Sequence, residues 1–165
     1  MLALNPIWNK GPLFFTQARM GRDCRAFKAV KFRSMFNEKV TRGADDPIET
    51  HRITRLGKFL RKSRIDELPQ ILNVLKGEMS LIGPRPDYFA HARSYVRNIQ
   101  GYRERHLVRP GISGLAQVDV GYVEGTDATR AKVAADLRYI RDASLVLDFQ
   151  IFWKTLRTVF GFKGS

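Results

Sequence analysis

Residues 63–86 read SRIDELPQILNVLKGEMSLIGPRP. Leu68, Ile71, Leu72 and Leu75 recur at helical spacing, and Gly77 is a stop signal, so the first half predicts a helix. MSLIGPRPDY (79–88) then predicts a short strand entering a rigid loop bounded by prolines. Upstream, Ile53, Leu56, Phe59 and Leu60 make another helical stripe. The rest of that stretch is basic, with Arg52, Arg55, Lys58, Arg61, Lys62 and Arg64 and no acid between His51 and Ile65. Further out, GPLFFTQARM (11–20) and FKAVKFRSM (27–35) predict two strands joined through GRDCRA. Residues 37–50 predict a polar, mobile loop. Downstream, residues 87–106 and 129–142 predict helices, with Val133, Leu137 and Ile140 on one face of the second. VRPGISGLAQV (108–118) is too rich in Gly and Pro for a helix and predicts an extended loop. The expected fold is α+β: a short β-hairpin with several packed helices, in one catalytic-sized domain over residues 1–165.

Composition narrows the partners. The 165 residues carry 29 Lys+Arg against 16 Asp+Glu, a net charge of +13, which calls for an anionic partner such as nucleic acid, a bilayer surface or a phosphorylated substrate. The single cysteine, Cys24, allows no internal disulfide and favours a reducing, cytosol-facing location. It has no evident base beside it and reads as structural. There is no signal peptide, and no stretch approaches the ~18 apolar residues of a membrane span. His51, His91 and His106 lack metal-ligand spacing.

Four segments carry candidate chemistry. Asp66 and Glu67 are adjacent acids in the most basic part of the chain. Asp66 suits a helix N-cap and Glu67 the positive end of the dipole, and on this segment alone that is the stronger reading. It is compatible with another: a helix N-terminus attracts phosphate, a carboxylate there can attack phosphorus, and its neighbour can ligate Mg²⁺. In GPRP (83–86) the prolines fix the backbone and aim Arg85, suited to bidentate phosphate contact, or they end a strand and leave Arg85 solvated. In VRPGISGLAQ, Arg109 precedes Pro110, and Gly111 and Gly114 permit close backbone approach, as to a nucleotide or phosphate. The pattern is neither a P-loop nor a Rossmann fingerprint. In KFRSM (31–35), Lys31 and Arg33 share a strand face and could meet a diphosphate, or face solvent. The final segment sets Phe149, Phe152, Trp153, Leu156 and Phe160 along one helical face. The pattern favours core packing over a bilayer interface.

Taken in order, GPLFFTQARMGR, KFRSM, RITRLGKFLRKSRIDELPQILNVLKGEMSLIGPRP, VRPGISGLAQV and LRYIRDASLVLDFQIFWKTLRTVF resemble the bacterial sugar transferase family, the monotopic polyprenol-phosphate phosphoglycosyl transferases. The resemblance runs from about Asn5 to Phe160. It implies that Asp66 attacks the β-phosphorus of a UDP-sugar, that UMP leaves, and that polyprenol (undecaprenyl) phosphate takes the phosphosugar from the enzyme. It implies Glu67 as a Mg²⁺ ligand, Arg85 as a phosphate contact, Lys31 and Arg61 near the site, and Arg109 facing the nucleotide or phosphates. It implies amphipathic interfacial helices on the cytoplasmic face of the bacterial inner membrane, an anionic surface as partner, and the initiating step of a surface glycan such as an exopolysaccharide or lipopolysaccharide. Nucleic acid is not an expected partner, since no nucleic-acid motif is present. Two departures stand out. Family members begin with a long hydrophobic segment that enters and leaves the membrane on one side, where this chain has MLALNP. Asp119-Val120-Gly121 follows GLAQV where the family often has Asn-Gly, in a loop that bears on sugar choice. The rival expectations are a catalytically silent module docking on a membrane or partner, and a basic nucleic-acid-binding domain.

Overall fold

The computed structural model describes residues 11–36, 50–120 and 126–161, and the expected loop at 37–50 lies outside them except for Thr50, which opens a 3-10 turn. The hairpin forms as expected. Strands β1 (Phe14–Met20) and β2 (Ala26–Phe32) pair antiparallel, Phe14 opposite Phe32 and Met20 opposite Ala26. Their connection is a 3-10 turn, Arg22–Cys24, with Asp23 and Cys24 at positive φ. β2 shows no clean period of two because it buries only Ala29 fully and packs on the segment that carries the two acids.

Helix α1 (Arg55–Lys62) is capped by Thr54, whose hydroxyl accepts from Gly57 N–H at 2.8 Å. Leu56 and Leu60 are buried as the stripe requires, whereas Phe59 is exposed and Ile53 precedes the helix in a bridge to Met35. Gly57 is obligatory here: a Cβ would stand 1.9 Å from the carbonyl oxygen of Ser34. The expected single helix after it is two pieces, a 3-10 turn (Ile65–Gln70) and the short α2 (Ile71–Leu75), which ends at Gly77 with φ +75°. Leu68, Ile71, Leu72 and Leu75 are all exposed, so this stripe does not build the core.

Asn73 ties these pieces to the hairpin. Its amide donates to Lys28 O at 2.8 Å and Glu78 at 2.7 Å, and its oxygen accepts from Val30 N–H at 3.1 Å. Strand β3 (Ser80–Ile82) pairs in parallel with β4 (Gly111–Ser113). Gly111 and Gly114 do permit close approach, but to protein: a Cβ on either would meet the backbone of Gly83 at 2.2 Å. The two Gly-Pro loops are therefore locked together.

The expected helix over 87–106 breaks at Gly101, φ +78°, into α3 (Phe89–Asn98) and a 3-10 turn (Glu104–His106). VRPGISGLAQV is extended only to Ser113, and Leu115–Asp119 forms helix α4. α5 (Thr126–Asp142) and α6 (Leu145–Phe160) complete the α+β fold. Two small cores result. Met20, Ala92, Ile99, Tyr102 and Val133 form one, and Leu115, Tyr139 and Ile151 the other. α6 buries Ile151 and exposes Phe149, Phe152 and Trp153, against the expectation of core packing for these aromatics. Among the described residues no helix is long and apolar enough to cross a membrane.

Candidate active site

The dyad sits at a sharp reversal. Arg64 ends the turn after α1 in the left-handed region (φ 59°), and the chain tightens into the 3-10 turn that carries Asp66 and Glu67. Pro69 lies inside this turn, just before α2 begins. Asp66 is not an N-cap: Arg64 holds that position, without a side-chain cap. The cap reading fails because the segment is a 3-10 turn entered through a left-handed residue, so both acids lie within it. Both are buried, at 7% and 6% exposure, against the β2 face.

The two carboxylates have opposite surroundings. Glu67 is saturated. Lys31 Nζ donates to its Oε1 at 2.6 Å, Arg85 grips both oxygens with Nη1 on Oε2 at 3.1 Å and Nη2 on Oε1, and Arg64 stands at 3.7 Å. Burial pushes Glu67 up, but the charges and hydrogen bonds of Arg85 and Lys31 outweigh it and hold the carboxyl well below the usual range. Asp66 Oδ1 is buried and has no hydrogen-bond partner. Burial raises the Asp66 pKa, with Glu67 adding to the rise and Lys31, Arg61 and Arg85 opposing it. Such a split between neighbouring carboxyl groups marks two different jobs. Lys31 is drawn down to about 8, first by burial and then by the charges of Arg85 and Arg19, with Glu67 opposing.

Of the residues expected from the sequence, the structure brings Lys31, Arg61, Asp66, Glu67 and Arg85 into one cluster. Arg61 acts on Asp66 through its charge and rests on Met35 Sδ at 3.6 Å. Arg109 is exposed, with its guanidinium beside Gly77 at the end of α2. Arg33 is buried and donates to Pro12 O at 2.9 Å. Sequence reasoning passed over Arg19 and Gln70, which line a small cleft with Ala29, Lys31, Arg85 and Pro86. Arg19, a lone base between Ala18 and Met20 in a strand, was the available signal. Reasoning also passed over Arg105, since a basic residue next to His106 in a turn gives no signal.

Among the described residues no group of three or more His, Cys, Asp or Glu gathers to hold a metal. Mg²⁺ asks for only one or two carboxylates, the rest of its shell coming from water and substrate phosphate. Glu67, the ligand expected from the sequence, already accepts from Lys31 and Arg85 on its two oxygens, and the unpartnered Oδ1 of Asp66 is the oxygen of the dyad left to meet that need.

A buried carboxylate with one uncommitted oxygen, set among the charges of Lys31, Arg61 and Arg85, has the chemistry that phosphoryl handling calls for. The family model for bacterial sugar transferases matches residues 1–162, and the chain belongs to that family. It is 50% identical over 150 residues to a UDP-N-acetylgalactosamine-undecaprenyl-phosphate N-acetylgalactosaminephosphotransferase of Aeromonas hydrophila, covering 90% of this chain and 36% of that one. It is 43% identical over 162 residues to a UDP-glucose:undecaprenyl-phosphate glucose-1-phosphate transferase of Klebsiella pneumoniae, covering 94% and 33%. It is 40% identical over 153 residues to the exopolysaccharide production protein PSS of Rhizobium leguminosarum bv. phaseoli, covering 88% and 76%. The chain thus spans about a third of the length of the first two.

Proposed function

We propose that this chain transfers a sugar-1-phosphate from a UDP-sugar to a polyprenol phosphate, through a covalent intermediate on Asp66. The observation that carries the reading is the asymmetry of the dyad: Glu67 is fully paired, and Asp66 keeps a buried oxygen without a partner. In the first step an Asp66 oxygen attacks the β-phosphorus. The bond from that phosphorus to the bridging oxygen breaks, and its electron pair leaves with UMP. An acyl phosphate carrying the sugar remains. In the second step a polyprenol-phosphate oxygen attacks the same phosphorus, and the acyl–phosphate bond breaks. A polyprenol-diphosphate-sugar forms and the Asp66 carboxylate is restored.

Arg61, Lys31 and Arg85 surround the dyad as fixed cations and offset charge gathering on the phosphoryl oxygens. Glu67 spaces and orients Lys31 and Arg85. Asp66 Oδ1 would hold Mg²⁺, which when bound neutralises diphosphate charge. The exposed Leu68, Ile71, Leu72 and Leu75 lie on the same turn and helix as the dyad, which supports an active site held at an anionic bilayer surface. The cytoplasmic leaflet is the expected one, since nucleotide sugars are cytosolic.

The test is UMP release without acceptor, from UDP-N-acetylgalactosamine, UDP-glucose and related donors with Mg²⁺. The expected result is a burst near one UMP per enzyme for one donor, absent in Asp66→Asn. A burst that survives in Asp66→Asn would refute the covalent role.

A further inference from the structure

Behind the dyad lies a second ionic cluster that makes no contact with Asp66 or Glu67 in the bonding described above. Arg105 is its centre and is fully buried. Its guanidinium pairs with the Asp87 carboxylate and with Asp136 Oδ2 of α5 at 2.7 Å, and lies 5.0 Å over the Tyr102 ring. Asp87 also takes Tyr102 OH at 2.8 Å and Lys132 Nζ at 3.0 Å. Burying so much charge is a poor route to stability, because desolvation offsets most of the attraction and apolar replacements are often as stable. What such a cluster can supply is a fixed geometry.

The geometry it fixes is the loop that carries Arg85. Four successive carbonyls there are each held by a different donor. Pro84 O accepts from Gly111 N at 3.0 Å, Arg85 O from Arg105 Nη2 at 2.8 Å, Pro86 O from Arg19 Nη1 at 3.1 Å, and Asp87 O from Met20 N at 3.1 Å. Arg105 grasps the carbonyl of the residue whose side chain grips Glu67, and it also holds the carboxylate two residues on.

We propose that Arg105 is a positioning residue: anchored on Asp136 of α5, it holds the Arg85–Asp87 backbone so that the Arg85 guanidinium stays seated on Glu67 at the dyad. The inference rests on the proposed reading of the dyad as the reacting centre. Arg105 touches no reacting atom and acts through Arg85. Helix α5 thereby enters the active site mechanically, through Asp136 and Lys132, without reaching it.

A double-mutant cycle on the full chain tests this, with Arg105→Lys and Arg85→Ala made singly and together. Arg105→Lys keeps the charge and loses the fork that spans Asp87, Asp136 and the Arg85 carbonyl. It is expected to slow burst-phase UMP release by roughly 10- to 100-fold, the scale of a misplaced contact group. In the Arg85→Ala background the same change is expected to add less than about twofold, since the two act as a unit. Equal slowing in both backgrounds would mean a purely structural role and overturn the proposal. Asp136→Asn leaves Arg105 in place and loosens only its anchor, so it supplies the cycle if Arg105→Lys folds poorly. A second arm needs no turnover: carboxyl carbon resonances titrated by NMR. Arg105→Lys is expected to raise the Glu67 midpoint, because Arg85 is the leading charge that depresses it, and to leave it unmoved when Ala already replaces Arg85. An unchanged Glu67 midpoint would overturn the proposal even if no donor sugar is found. Absence of UMP release from the unaltered chain would instead count against the proposed function.

Discussion

At the scale of single residues, the dyad divides because three-dimensional neighbours, rather than chain position, set each carboxyl's state. Asp66 and Glu67 share a turn, yet Glu67 meets Lys31 and Arg85 directly while Asp66 feels them only through space. This fixes the sign of the pH dependence of UMP release. In the proposed mechanism Asp66 attacks in its ionised form, and its raised pKa moves the acid limb up from the ordinary aspartate value. Lys31 must be charged to offset phosphate charge, and its pKa of about 8 sets the alkaline limb. A bell-shaped profile falling above pH about 8 is expected. Lys31→Arg keeps the cation at all accessible pH, so the alkaline limb should vanish if Lys31 is its source. Glu67→Gln removes the charge that most raises Lys31, so the limb should shift below about 8 while the rate drops about 10²- to 10³-fold. A profile unchanged in both variants would show that Lys31 does not titrate in the reaction.

Elements show what the sequence disclosed and where it stopped. The hairpin, α1 and the loop carrying Arg85 were legible because capping, turn glycines and prolines are local signals. So was the Asp66–Glu67–Arg85 set, through motif order. The direction each apolar stripe faces was not legible, because amphipathic spacing says that a helix has an apolar face and not what covers it. The core stripe and the exposed stripe of α6 look alike in sequence, yet Ile151 is 1% exposed and Phe149 60%. Arg105 was invisible for a related reason: its partners lie on α5 and the Arg85 loop, fixed only by tertiary structure. The two faces of α6 give opposite predictions. Phe149→Asp with Trp153→Asp should leave unfolding free energy within about 0.5 kcal/mol and cut co-sedimentation with anionic phospholipid vesicles roughly tenfold or more. Ile151→Ala should cost about 2–4 kcal/mol and leave vesicle binding of the folded protein intact. Reversal of these results would place the aromatics inside the fold. Gly57→Ala belongs at this scale too, since it drives a methyl into Ser34 backbone and should cost on the order of 3 kcal/mol in a denaturant melt.

For the molecule as a whole, the buried cluster that braces the site also sets how folding responds to acid. His106 is buried beside Arg105, with its Nε2 lacking a partner among the described residues. Burial first, and then the Arg105 charge, lower its pKa from 6.5 to about 4. The unfolded chain therefore binds a proton near pH 6.5 that the folded chain refuses until about 4, so stability rises with pH across that window and is lost on acidification. Asp87 acts in the same direction but lower down. Its carboxyl, pushed up by burial and held far down by Arg105 and Lys132, gives stability that is lost only once pH falls below the ordinary aspartate value of 3.8. Asp66 and Asp136 are raised, mainly by burial, and so oppose the loss from that value upward. Between pH 6.5 and about 5 the His106 contribution, at about 1.4 kcal/mol per pH unit, amounts to roughly 2 kcal/mol, with the raised Asp66 and Asp136 acting against it. Urea unfolding at the two ends of this range should show a pH dependence that differs between the unaltered chain and His106→Gln by about that amount. A loss of the same size in the variant would trace the acid sensitivity to another group. With Asp66 as the proposed nucleophile and His106 outside the reacting centre, His106→Gln should flatten the stability curve while leaving the acid limb of UMP release where it was.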